Sequence, residues 1–190
     1  MLVLALGLVL FLGVHTVPMA PRLRAGLIGR LGANGWKGAH TLAAAAGLGL
    51  IVWGYGLARA EGHAPWLDSN VAMRHATLLV LLPVFPLLFA SFLPGWIRAR
   101  VGHPMLTAVI LWALGHLLIV GAAPAVLLFA AFLAWSVADR LSLARRGVGP
   151  AGAPSAFGRN DVLAIAVGLA IYAVMLFGGH LWLVGVAPLG

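Results

Sequence analysis

The sequence predicts an all-α, polytopic membrane helix bundle of about six transmembrane helices, with the N-terminus and C-terminus outside. Three observations carry that expectation. The chain is 63% hydrophobic and 8% charged, against roughly 45–50% and about 25% in a soluble domain. Six apolar segments can be read, at 1–20, 39–58, 71–93, 104–121, 122–138 and 162–187, each near the ~20 residues that cross a bilayer core. Basic residues collect in alternate linkers, as the positive-inside bias requires. One transmembrane domain over 1–190 is expected, with the lipid bilayer as its principal partner.

The first segment carries no charge before Arg22. It lacks the basic start and small-residue cleavage site of a signal peptide, so a retained first helix is expected. The second segment holds Ala43, Gly47, Gly54 and Ala58 at intervals of four, seven and four. Such a stripe of small residues lets a neighbouring backbone approach. The third segment contains Pro83 and Pro86, which should kink it. Such a kink leaves a gap where an apolar ligand can enter from the lipid. Gly121-Ala122-Ala123-Pro124 is the only break between the fourth and fifth segments, which makes them a tight hairpin.

The linkers set the orientation. Arg22, Arg24, Arg30 and Lys37 follow the first segment, Arg98 and Arg100 the third, and Arg140, Arg145, Arg146 and Arg159 the fifth. These are ten of the twelve basic residues; only Arg59 and Arg74 fall on the other side, near Glu61 and Asp68. The odd linkers are therefore cytoplasmic. The net charge of +8 is read as this bias and not as a nucleic-acid face. A bacterial inner membrane is the expected location.

Several chemistries are excluded. The chain has no cysteine, hence no disulfide, iron–sulfur cluster or thiolate zinc site. No carboxylate pair falls inside a segment, no serine stands in a G-x-S-x-G context, and no phosphate-binding glycine loop is present. Trp36, Trp66, Trp96 and Trp182 lie near segment ends, where interfacial anchoring explains them. Trp53, Trp112 and Trp135 lie within segments, where core packing is the expected role and the wall of a flat cofactor the alternative.

Histidine is the exception, with seven in the chain. An imidazole is neutral near pH 7 and is the least costly metal ligand to bury. An intramembrane metal site here would rest on histidine, and two such nitrogens can hold haem iron. His116 lies 13 residues beyond His103, hence ~20 Å from the cytoplasmic surface. His180 and His75 lie at similar depth, beside Arg74, which either pairs with an anionic group or snorkels to the interface. His15 and His40 lie nearer the cytoplasm. Trp112 precedes His116 by one helical turn and shares its face.

The stretch from Gly102-His103-Pro104-Met105-Leu106 to Trp112-Ala113-Leu114-Gly115-His116 resembles the signature of the NnrU family. The first helix ending in His15 before Arg22 and Arg24 fits the same pattern, as does His180. That resemblance implies a small polytopic membrane protein linked to denitrification through expression of nitrite and nitric oxide reductases. The family is also similar to 15-cis-zeta-carotene isomerase, a membrane protein with histidine-held haem b. By resemblance the two metal ligands fall on His116 and His15. The isomerase carries a cysteine where this chain has Ala113, so a thiolate cannot exchange here. The depth reading keeps His180 and His75 as alternative cofactor-binding partners of His116.

Two function classes follow. One is a haem-dependent enzyme, an isomerase acting on a lipophilic small molecule, or a redox sensor. The other is a non-enzymatic accessory protein for the reductases. A transporter is disfavoured by the absence of intramembrane acids. His103-Pro104 also resembles an element of membrane methyltransferases, but Pro104 fits the first turn of a helix equally well.

Overall fold

The structure, a computed structural model, describes residues 1–67, 69–149 and 156–189; Asp68 and Gly190 lie outside that set. In chain order its helices are α1 (Leu2–Thr16), α2 (Pro21–Ala60), α3 (Val71–Leu81), α4 (Val84–Ala90), α5 (Trp96–Val101), α6 (Pro104–Leu117), α7 (Ala123–Arg145), α8 (Arg159–Val174) and α9 (His180–Val184). A short 3-10 turn, Val17–Met19, follows α1, and a wider π turn, Met175–Gly179, joins α8 to α9. No strand occurs among the described residues.

The apolar segments are helical, and their limits shift for physical reasons. The expected first basic linker is itself helical. Pro21 opens α2 at the first turn, where its missing N–H costs nothing, and the helix then runs 40 residues to Ala60. Gly32 interrupts it with φ 73°, ψ 164°, a conformation that only glycine adopts readily. The third segment breaks between α3 and α4 at Pro83, as a missing donor requires. α7 extends well past the expected 138, to Arg145. α6 stops at Leu117, at 14 residues, hence ~21 Å long. Five stretches, Leu2–Met19, Pro21–Ala60, Val71–Ala90, Ala123–Arg145 and Arg159–Val184, are long and apolar enough to cross a membrane; α6 is shorter.

The outward surfaces are apolar: Leu42 is 73%, Leu79 70% and Phe177 78% exposed. Water would disfavour that exposure by about 25 cal/mol per Å², and hydrocarbon removes the cost. Trp53, expected in the core, belongs to this outer surface at 61% exposure.

The chain divides into two compact units, Met1–Asp68 with Val120–Ser142, and Ser69–Ile119 with Leu143–Gly190. In the first, α1 lies along α2 at backbone contact. A Cβ on Gly7 would stand 2.6 Å from the Ile51 nitrogen, and one on Gly47 2.7 Å from the Phe11 nitrogen; one on Gly54 would strike Leu4 and Val3. The small-residue stripe of the second segment thus packs helix on helix. Leu4, Leu8 and Ile51 form the core, with Leu127, Leu128 and Phe132 of α7 against them.

In the second unit α4 packs between α6 and α8, and α3 on α6. Gly168 of α8 admits the Pro86 backbone, and Gly115 of α6 admits Leu81. Buried Thr77 donates its hydroxyl to the Gly115 carbonyl at 3.1 Å, and Tyr172 donates to the Leu78 carbonyl at 2.9 Å. Each removes a polar group from hydrocarbon. Buried Asp161 accepts from the backbone N–H of Gly158 (2.9 Å), Trp96 (3.1 Å) and Ile97 (2.8 Å). One carboxylate therefore caps both α8 and α5, satisfying donors that helix starts leave open.

Candidate functional site

α6 begins with Pro104 in its first turn and His103 as N-cap. Near its other end His116 hydrogen-bonds through Nδ1 to the Trp112 carbonyl at 2.8 Å. Because the carbonyl only accepts, Nδ1 carries the proton and the ring's lone pair sits on Nε2. The Trp112 ring lies 5.5 Å from the His116 ring, and Trp112 also packs against the core of Val84, Leu87 and Ala108, the role expected of it.

The other side of His116 meets His180. The two ring centroids are 6.3 Å apart, with planes inclined by 22°. His180 stands at the start of α9, directly after the π turn. Its Nδ1 also donates to a backbone carbonyl, that of Val186, at 2.7 Å. Both rings are therefore oriented by the tie that metal-ligating histidines commonly make on the nitrogen away from the metal.

His75 is exposed on α3 and makes no ring contact or hydrogen bond with either residue among those described. Arg74 donates to the Leu189 carbonyl at 3.1 Å, which ties α3 to the segment after α9. His15 belongs to the first unit. Its Nδ1 donates to the Phe11 carbonyl at 2.7 Å, and its ring meets His40 edge-on at 5.0 Å. Four of the seven histidines thus form one pair in each unit, His15 with His40 and His116 with His180. Among the described residues no group of three or more His, Asp or Glu converges as a metal site. His63 and His103 engage the Ala58 and Val148 carbonyls at 3.0 and 2.9 Å.

Beside the Pro83 break a half-open cleft of about 170 Å³ is lined by Val84, Phe85, Leu88, Ala108, Val109 and Trp112. All six side chains are apolar or aromatic. Its volume is below the roughly 300–1,000 Å³ of a drug-sized site, so it admits a stretch of hydrocarbon and not a whole lipid. Trp112 joins this cleft to the His116 face.

Comparison with known families decides where such a chain belongs. The family model described as NnrU protein matches residues 3–188. The chain belongs to the NnrU family. No curated protein and no solved structure matches it. With its apolar helices, this NnrU chain is a membrane protein.

Two residues of the NnrU chain escaped the sequence reading. His40 was placed by depth alone, and nothing in the sequence paired it with His15. Asp161, which precedes the last apolar segment, drew no role from the sequence. The spacing Gly158-x-x-Asp161 ahead of an apolar run is a helix-start signature that gives its capping role.

Proposed function

We propose that this NnrU protein holds haem b through His116 and His180 in the bacterial inner membrane. There it serves redox-linked isomerisation of a lipophilic substrate or redox sensing. The observation that carries the proposal is the oriented pair of imidazoles at 6.3 Å. His116 and His180 would hold the iron through Nε2. The donor set also fits: both Nδ1 protons are engaged by carbonyls, which leaves the lone pairs on Nε2. Haem, if bound, would supply one-electron chemistry.

The chain's own residues supply position and surroundings. The Trp112 carbonyl and the Val186 carbonyl fix the two rings. Arg74 anchors the chain beyond His180 through Leu189. The apolar cleft beside Trp112 supports entry of a hydrocarbon chain from the lipid. The charge asymmetry of the linkers supports both termini outside. Family membership supports a link to denitrification, and the resemblance offers His15 as the second ligand in place of His180.

The test is the absorption spectrum of protein purified after expression with ample haem. A Soret band with the features of two nitrogen ligands supports the proposal. A colourless, folded protein overturns it and favours the second reading, a non-enzymatic accessory to expression or assembly of nitrite and nitric oxide reductases.

A further inference from the structure

The first unit contains a second cluster of polar rings, outside the His116–His180 pair. His15 of α1, His40 and Trp36 of α2, and Trp135 of α7 converge there. His15 lies 5.0 Å from His40 and 6.0 Å from Trp135, both edge-on, and Trp36 lies 5.7 Å from His40. Phe11 closes one side, 4.4 Å from His15.

The hydrogen-bonding capacity of this cluster is unbalanced. The Trp135 indole N–H is buried and has no acceptor among the described residues. His40 makes ring contacts and no hydrogen bond among them. His15 has committed Nδ1 to the Phe11 carbonyl, so its lone pair sits on Nε2. A buried donor without a partner is rare, because leaving water is then uncompensated. The cluster thus offers three N–H donors, on Trp135, Trp36 and His40, and two ring-nitrogen acceptors, on His15 and His40.

We propose that this cluster binds the head of a flat, conjugated, carbonyl-bearing lipid of the quinone class. A carbonyl oxygen accepts from the Trp135 N–H and the His40 N–H. In the reduced form of such a lipid a hydroxyl donates to His15 Nε2. The rings of Phe11 and Trp36 supply stacking surface. A small rotation of the half-buried rings opens the indole N–H to the ligand.

The alternatives fit less well. An inorganic anion needs a cation, and none of the clustered side chains is a lysine or arginine. A bare metal ion needs more donors, and among the described residues no third His, Asp or Glu joins the pair. The cluster borders the outer surface: His15, His40, Trp36 and Trp135 are each half-buried, and Leu42, two residues from His40, is 73% exposed. A hydrocarbon tail can lie along that face of α2.

The test uses the full chain in nanodiscs of quinone-free phosphatidylcholine, with a radiolabelled benzoquinone bearing a decyl tail as probe. Saturable binding near one per chain is expected. Trp135→Phe keeps the ring and removes only the N–H. It should weaken binding about fivefold to tenfold, the worth of one neutral hydrogen bond. His40→Leu should weaken it at least as much. Trp182→Phe, at a position 84% exposed in the second unit, should change nothing. Non-saturable uptake, or saturable binding indifferent to Trp135→Phe and His40→Leu, overturns the proposal. So does tight Zn²⁺ or Cu⁺ binding that His40→Leu abolishes and Trp135→Phe leaves intact, without saturable quinone. The assay reads no haem absorbance, so its failure leaves the His116–His180 reading standing.

Discussion

His116 and His180 face each other at 6.3 Å with planes 22° apart, and each ring is held by a backbone carbonyl on Nδ1. His180 comes into reach because the π turn at Met175–Gly179 interrupts the last long helix immediately before it. π turns of this kind occur often at functional sites. If this pair holds the cofactor, His180→Ala should remove the bis-imidazole spectrum of purified protein. His75→Ala should leave it unchanged, since His75 shares no contact with either ring among the described residues. A spectrum lost in His15→Ala and retained in His180→Ala would reassign the second ligand to the first unit.

The α1–α2 interface makes a separate prediction. A methyl group on Gly54 would collide with the Leu4 backbone, whereas Gly49 has nothing within 4 Å. Gly54→Ala should lower stability by about 1–3 kcal/mol, the usual cost of overpacking. Gly49→Ala should be neutral or slightly stabilising, because alanine favours helix. Thermal melts of both variants in detergent check this. Equal melting temperatures would show that α1 does not lie on α2 through Gly54.

Asp161 is 2% exposed and joins the starts of two helices. Asp161→Ala leaves three backbone N–H groups without their acceptor. A loss of about 2–4 kcal/mol is expected, since bonds to a charged group are worth ~1.5–3 kcal/mol each and water recovers part of them. Asp161→Asn should fall between, as its amide oxygen still accepts. Limited proteolysis around Pro94 and Gly95 should be faster in Asp161→Ala than in the parent. Unchanged cleavage there would contradict the capping role.

Orientation is tested by fusions. An alkaline phosphatase fused after Gly190 should be active, and one fused after Arg146 inactive, given ten basic residues in the odd linkers. The reverse pattern would place both termini in the cytoplasm.

The apolar segments and the Pro83 break were legible because length, hydropathy and proline act locally. The limits of α2 and α7 were not. Arginine and lysine are good helix formers, so a charged linker can continue a helix beyond the hydrocarbon. The candidate site was half legible. Rise per residue gave His116 and His180 a common depth, and the structure brings them together. Depth says nothing of azimuth, and His75 lies outside the contact between His116 and His180. Thr77, two residues on and about 200° around the helix, is the side chain α3 buries against Gly115, and His75 faces away. His40 meets His15 across two helices whose close approach depends on Gly7, Gly47 and Gly54. The stripe on α2 was visible, but its register against α1 was not.

The most direct test of the central claim is the visible spectrum of His116→Ala beside the parent, with insertion and melting temperature monitored in both. Depth, the ligand position the resemblance implies and ring geometry coincide on His116. The account predicts a parent with a Soret band and two nitrogen ligands, and a His116→Ala protein that inserts normally but has lost that signature. A His116→Ala protein with an unchanged bis-histidine spectrum would contradict it and leave His116 as a helix-packing residue.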